Sequence, residues 1–499
     1  MDYSNIKKSF WDYIYIIFNS FLIMPLQIIS VSLCTRILGP TGYGKLSIFL
    51  MVSEFVFLLG ASWTSASVVR YGTWQFNDDK KINKVFWARN SILIPSLTIF
   101  FIGIIIFRKK ILAYIGIEQD IIIWLMLLYI TVIVLVEYIQ YIQQSIGQLK
   151  LYSFSLFSIK FIVMIGLLII IATPVLVKNV LLVVIVYILG NLITIIIFTI
   201  FIKKRIFFPI EFNKSIIKKV FLFSYPLIFG SITSYTVGYV DIVFIKKILL
   251  MSDVGIYSLS YRMMAVINMI SMSLIVLFNP IIITFLANNR VDLIKKYVKR
   301  LIPQGVFISS IFISLVMVLL HYLIPLIFGV EFTESILPFS ILMLGMAFNF
   351  FSSFYSPVML AYELIKQGMI VSVIMALVNI IGDYFLTPII GINGAAYTTS
   401  LVYSLGAILC LMIVNRKLKI NEWRQVFTVI PAILTFLLIL LTDNYFIIII
   451  VLIVIYILSY FLVKILRIFN KEDLVMFDKI NMPALVRKII TKTYVFLSK

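Results

Sequence analysis

An apolar segment long enough to cross a bilayer recurs about fourteen times along the 499 residues, and the connections between copies are short and carry most of the charge. A spanning helix needs roughly 20 apolar residues, because the hydrocarbon core is about 30 Å thick and each helical residue rises about 1.5 Å. The segments that meet this requirement are 10–34, 42–63, 88–107, 118–144, 150–173, 175–202, 219–245, 255–285, 302–323, 334–361, 367–387, 392–415, 427–441 and 445–466. Hydrophobic residues make up 62% of the chain and charged residues 13%, an excess that no water-soluble core can hide. Lipid offers no partner to a backbone N–H or C=O, so each segment must satisfy its own, and the expected class is an all-α polytopic membrane protein.

Orientation follows from the basic residues, which are retained on the cytoplasmic side. An N-terminus inside places there Lys7, Lys8, the 64–89 loop with Arg70 and Arg89, Lys150, the 203–219 and 286–301 loops, Lys366, the 416–424 loop and the C-terminal tail. About 32 of the 42 Lys and Arg then lie inside and about 8 outside, a marked asymmetry. The net charge of +21 is accounted for by this topology and by anionic lipid heads. It does not point to nucleic acid, since the basic loops lack a platform of stacking aromatics. Cys34 and Cys410 lie in or beside spans without CxxC spacing and are expected as free thiols. His321, the only histidine, falls at a span end, where an interfacial role is expected. The first apolar stretch is too long for a cleavable signal and is expected to remain as an anchor.

The spans fall into a repeat. Residues 36–47, RILGPTGYGKLS, align with 247–258, KILLMSDVGIYS, at an offset of 211. Gly116-Ile117-Glu118 matches Gly329-Val330-Glu331 at 213, and at 216 Lys150 matches Lys366 and Gly166 matches Gly382. Ordered matches with slowly growing offsets indicate two six-helix halves, 1–210 and 211–418, then two additional C-terminal helices in 419–466 and a cytoplasmic tail, 467–499. Six being even, both halves start inside, so a pseudo-two-fold along the membrane normal relates them, and a substrate path is expected between them.

Several of these residues resemble a known family. Arg36-Ile37-Leu38-Gly39-Pro40-Thr41-Gly42-Tyr43-Gly44 is similar to the R-x-LGPxGYG turn of the polysaccharide (O-antigen or capsule type) flippases of the multidrug/oligosaccharidyl-lipid/polysaccharide exporter superfamily. Asp241 followed by Val254-Gly255-Ile256-Tyr257 and Tyr261-Arg262 resembles the family's D…VGxYxxAYR region, with Ser260 where Ala is common. Gly391-Ile392-Asn393-Gly394-Ala395-Ala396 looks like its GIxGAA helix start, and Phe328-Gly329 through Glu331-Phe332 like the beginning of its tenth helix. The resemblance covers nearly all of the first 420 residues in order. It implies a flippase in a bacterial plasma (inner) membrane that moves undecaprenyl-pyrophosphate-linked oligosaccharide from the cytoplasmic to the outer leaflet by alternating access. The partners so implied are the lipid-linked oligosaccharide, membrane lipids and a polysaccharide polymerase machinery.

A pyrophosphate and sugars need a wet, cationic path, for which Arg offers a forked donor and Lys a point charge. Lys160 lies roughly 15 Å into its span, where an unneutralised charge is expensive. It is either a cavity residue or half of an ion pair with Glu54 or Glu137. Arg262 is roughly 10 Å from the outer face, at the depth of Asp241, so it either contacts substrate or pairs with that carboxylate. Arg36 ends the first span and either snorkels to the interface or reaches substrate. Asn379 and Asp383 are four residues apart and share a helix face, with Asp241 and Thr399 at similar depth. Together with the Ala395 carbonyl they form a hard-oxygen set suited to sodium. Related lipid II flippases place a sodium site on these helices, which implies coupling through Asp241, Asn379, Asp383, Ala395 and Thr399. A protonated carboxylate, or a purely structural network, is the competing reading.

No cofactor is expected, and no GxxxxGK[ST], HExxH or large soluble segment suggests an enzyme. Two other classes compete with the flippase. A multidrug or small-solute cation antiporter of the same fold calls for a compact acidic pocket in the first half, where the notable mid-span charge is Lys160. A membrane-embedded glycosyltransferase or polymerase calls for a large outer loop, and the outer connections are short. The tail, with Val486-Arg487-Lys488-Ile489-Ile490, reads as an amphipathic surface helix or a plain extension.

Overall fold

The computed structural model describes residues 3–173, 177–442, 450, 452–459 and 461, with side chains from Asn19 onward. Among them there is no strand, and the elements run α1 (Tyr3–Gly60), α2 (Ser65–Asp79), α3 (Asn83–Ile106), α4 (Arg108–Ile115), α5 (Ile121–Ser145), α6 (Leu149–Ala172), α7 (Val180–Thr199) and α8 (Lys214–Ile248). They continue as α9 (Met251–Ala287), α10 (Val291–Lys296), α11 (Ile302–Phe328), α12 (Ile336–Ala361), α13 (Ile365–Ile390), α14 (Ile392–Leu418) and α15 (Ile430–Leu441). Among the described residues twelve helices are long and apolar enough to cross a membrane. The first of them holds two of the expected spans, because Gly39 (φ 61°, ψ 179°) interrupts α1 in a conformation closed to residues with a Cβ. The chain is an all-α, multi-pass membrane protein. The last expected span, 445–466, falls largely outside the described residues, and the tail 467–499 wholly so.

Two sequence expectations change. The 64–89 connection is not a loop, since most of it is α2, whose end is marked by Lys80 at φ 58°. Arg89, grouped above with the loop bases, is fully buried inside α3. Its counter-charge comes from another helix, which sequence distance concealed. Large apolar side chains such as Ile99, Ile196 and Ile389 are mostly exposed, as expected of surfaces that face hydrocarbon.

The helices group into two compact units that share α9, α11, α13 and α14 along their lengths. The first unit comprises Met1–Met269, Pro325–Ser335 and Asn379–Ala395. Within it α1 packs on α6, α5 on α7, α2 on α5 and α3 on α8. The 36–44 turn and the residues just before it are held by the α8–α9 corner, the end of α11 and the segment after it. Ser32 Oγ donates to the Ile327 carbonyl at 2.6 Å, Arg36 donates to the Leu326 and Ile327 carbonyls, and Tyr43 stands edge-on to Phe332 at 6.1 Å.

Gly44 and Gly255, paired by the 211-residue repeat, meet directly. A Cβ on Gly44 would stand 3.1 Å from the Gly255 nitrogen and one on Gly255 3.0 Å from the Gly44 nitrogen, with the Met251 and Pro40 carbonyls closer still. Such a reciprocal contact is what a two-fold axis passing between the pair produces. Backbone approaches backbone here, so only glycine fits at either position.

The second unit comprises Ile270–Ile324, Ile336–Val378 and Ala396–Lys499. Inside it Gln425 accepts from Tyr355 Oη at 2.5 Å and donates to the Val298 carbonyl at 2.8 Å, while Ser310 Oγ accepts from the Ala432 N–H at 3.1 Å. These bonds fasten α15 and the segment before it to α12, to α11 and to the turn that precedes α11, satisfying polar groups that lipid would leave unpaired.

Candidate functional site

A cavity of about 460 Å³ lies within the first unit. Its walls follow helical periodicity. Tyr43, Leu46, Leu50, Glu54 and Phe57 form one stripe of α1, and α5 presents Tyr129, Ile133, Val136, Glu137 and Gln140. Lys160 comes from α6, Tyr187 and Asn191 from α7, Tyr239 from α8 and Arg262 from α9. The cavity therefore draws on residues from both repeat halves.

Four acidic or basic side chains face it, and one of them is spoken for. Glu137 accepts from Ser62 Oγ at 2.8 Å, from Ser65 Oγ at 2.7 Å and from the Arg89 guanidinium at 3.2 Å. Arg89 also donates to Thr64 Oγ1 at 2.9 Å and Ser65 Oγ at 2.6 Å and lies 4.2 Å over the Tyr138 ring. The charge of Glu137 is thereby cancelled from behind the wall. Among the described residues Lys160, Arg262 and Glu54 form no ion pair, so Lys160 is bound to neither carboxylate and Arg262 not to Asp241. The guanidinium of Arg262 instead meets the Tyr43 hydroxyl and stands among Tyr129, Tyr187 and Tyr239. Two cations thus oppose the single uncompensated carboxylate of Glu54, a balance that favours an anion.

The other expected residues are placed elsewhere. Arg36 does not line the cavity, because its guanidinium is committed to the carbonyls that end α11. Asp241 and Asn379 come together, and Asp383 lies one turn along α13 from Asn379, all three nearly or fully buried. Asp241 accepts from Tyr257 Oη and from Asn379 Nδ2, the latter at 2.9 Å. Asn379, Asp383 and Thr387 lie one turn apart on a single buried face of α13. The Asn379 Oδ1 and Thr387 Oγ1 atoms have no hydrogen-bond partner among the described residues. Two carboxylates with spare amide and hydroxyl oxygens fit a small hard cation, or a proton. Ala395 is buried at the start of α14 in the same unit, whereas Thr399, also buried, belongs to the second unit.

The sequence reading passed over the tyrosines, although Tyr43 sits inside the 36–44 turn, and took Glu54 only as a partner for Lys160. It missed the Arg89–Glu137 pair altogether. The one available signal was a carboxylate in mid-span, which demands a counter-charge somewhere.

The polysaccharide biosynthesis protein family matches residues 11–286, more than half of the chain and every helix that lines the cavity. The chain belongs to this family. Solved structures of other membrane transporters share its fold. It is similar to the lipid II flippase MurJ in an inward closed conformation (17% identity, 90% of this chain and 97% of that one, TM-score 0.59). It also resembles an inward-facing multidrug resistance MATE transporter of the MOP superfamily (13%, 82% and 98%, TM-score 0.62) and the Vibrio cholerae MATE transporter VcmN in its bent form (13%, 82% and 98%, TM-score 0.53). At these identities the likeness establishes a shared fold. No curated protein matches the chain in sequence.

Proposed function

We propose that the chain is a flippase carrying undecaprenyl-pyrophosphate-linked oligosaccharide repeat units from the cytoplasmic to the outer leaflet of a bacterial plasma membrane, for surface polysaccharide synthesis. The observation that carries this reading is the pair of cations, Lys160 and Arg262, which outnumber the one free carboxylate, Glu54, in a tyrosine-lined cavity and form no ion pair with it. A pyrophosphate supplies the missing anion, and charge-assisted hydrogen bonds to it are about twice as strong as neutral ones. The phenols of Tyr129, Tyr187 and Tyr239 offer hydroxyls and ring faces to the first sugar, while the polyprenyl chain stays in lipid.

With both termini cytoplasmic, the Gly44–Gly255 contact closes the outer end of the first unit. Opening it, with the repeat halves 1–210 and 211–418 rocking, releases the headgroup outside. Asp241, Asn379 and Asp383, with the Ala395 carbonyl, would hold the coupling ion, sodium or a proton. A bound cation would neutralise the buried carboxylates and bias which end is open. The lipid-linked substrate would pass on to a polymerase.

A cation antiporter is the second reading, favoured by the uncompensated carboxylate of Glu54 in the same cavity. Purified protein in liposomes loaded with fluorescent lipid-linked repeat units separates the two. Lectin-accessible substrate should rise with protein and fall with Lys160→Gln. Unchanged accessibility with ion-driven dye uptake would establish the antiporter instead.

A further inference from the structure

A second cavity, about 360 Å³, lies wholly within the second unit, and it is a chemical rewrite of the first. Under the offset of 216 that pairs Lys150 with Lys366, residues lining one cavity map onto residues lining the other: Ile133 onto Asn349, Val136 onto Ser352, Glu137 onto Ser353 and Gln140 onto Ser356, then Leu156 onto Ser372 and Ile159 onto Met375. The two cavities are the same place in two copies of one fold.

The substitutions have a direction. Every charged group is gone: Glu137 becomes a serine, and the position of Lys160 is Ala376. Three apolar positions have at the same time become polar, with an amide at Asn349 and hydroxyls at Ser352 and Ser372. Ser372 Oγ donates to the Gly368 carbonyl at 3.1 Å and keeps its lone pairs for a ligand's hydroxyls, an acceptor capacity that a cavity meant for hydrocarbon does not use. A cavity meant for a second anion would have kept its cations. Neutral donors and acceptors between Met272, Met359 and Met375 match an uncharged sugar, whose hydroxyls hydrogen-bond and whose C–H faces pack on soft apolar side chains.

We infer that this second-unit cavity is a subsite for the uncharged sugar portion of the carried oligosaccharide, with Asn349, Ser352, Ser356 and Ser372 as its hydrogen-bonding residues. The inference rests on the flippase reading and adds to it a subsite, within the second unit, for the uncharged part of the same substrate.

The test uses full-length protein in nanodiscs, with farnesyl diphosphate and a panel of farnesyl diphosphates carrying uncharged disaccharides as probes. Wild type should bind at least one glycosylated probe about tenfold more tightly than farnesyl diphosphate. Ser356→Phe, which fills the cavity, should abolish that difference and leave farnesyl diphosphate affinity intact. Ser352→Ala/Ser356→Ala/Ser372→Ala should do the same without adding bulk, guarding against a misfolded Phe variant. Protection of Cys410, which lines the cavity, from a small thiol reagent in a Cys34→Ala background gives a second readout, and only glycosylated probes should protect it. Equal loss of both probe types in the alanine variant, or Cys410 protection by farnesyl diphosphate itself, would overturn the assignment. Failure of wild type to bind any diphosphate would instead sink the flippase reading, and the sugar subsite with it.

Discussion

Arg89→Met isolates a buried charge and predicts a specific pattern of stability. The substitution removes the guanidinium's bonds to Thr64, Ser65 and Glu137 and its seat over Tyr138, leaving Glu137 held by two serine hydroxyls at 8% exposure. Removing one partner of a buried ion pair costs about 3–5 kcal/mol, because the other charge remains desolvated. Glu137 also faces a cavity that can admit water, so the lower end, about 3 kcal/mol, is expected here. Replacing both partners, Arg89→Met/Glu137→Leu, removes the stranded charge and should bring stability back to within about 1 kcal/mol of wild type. The coupling between the two positions is then several kcal/mol, the double variant being more stable than the sum of the single losses predicts. Purified protein in mild detergent, titrated with dodecyl sulfate and followed by tryptophan fluorescence, yields the four unfolding free energies of the cycle. A loss below about 1 kcal/mol in Arg89→Met, or a double variant as unstable as the sum of the singles, would refute the view that Arg89 serves to cancel Glu137.

Three further outcomes are expected. Lys160→Gln and Arg262→Gln should each weaken farnesyl diphosphate binding about tenfold, as loss of one charge-assisted bond implies, and unchanged affinity in nanodiscs would remove them from the site. Gly255→Ala drives a methyl group into the Pro40 carbonyl and should raise maleimide labelling of a cysteine placed at Thr41, whereas Gly103→Ala, with nothing within 4 Å of the added methyl, should leave labelling unchanged; equal labelling in both would show that the contact is not a closure. Sodium should protect Asp383 from a carbodiimide label in wild type but not in Tyr257→Phe/Asn379→Ala, and protection insensitive to sodium would exclude the cation reading of the Asp241 cluster.

Much of the membrane architecture could be read in advance because hydrophobicity is a local property. Each span announces itself within about 20 residues, and lipid forces it to be helical whatever its neighbours do. The 64–89 segment misled for the same reason. Its low hydropathy correctly removed it from the list of spans, but a polar helix such as α2 carries no apolar run to mark it. Lys160 and Arg262 stood out as charges inside apolar stretches, and both line the cavity. Arg89 did not, since it sits near a predicted boundary, where a snorkelling base and a buried one look alike.

The sequence by itself determined that the chain crosses the membrane many times and which charges stand inside apolar stretches, and its offsets read as a duplication, because period, offset and composition are read along one dimension. Only the tertiary structure decided how those charges are balanced. It assigned Arg89 to Glu137 across 48 residues and, among the described residues, left Lys160 and Arg262 facing one shared carboxylate, Glu54, with no ion pair. It brought the repeat-related Gly44 and Gly255 into contact, and it showed that two duplicated cavities differ in chemistry. Electrostatic compensation and close packing depend on distances between helices, and those distances are set by the whole assembly rather than by any one span.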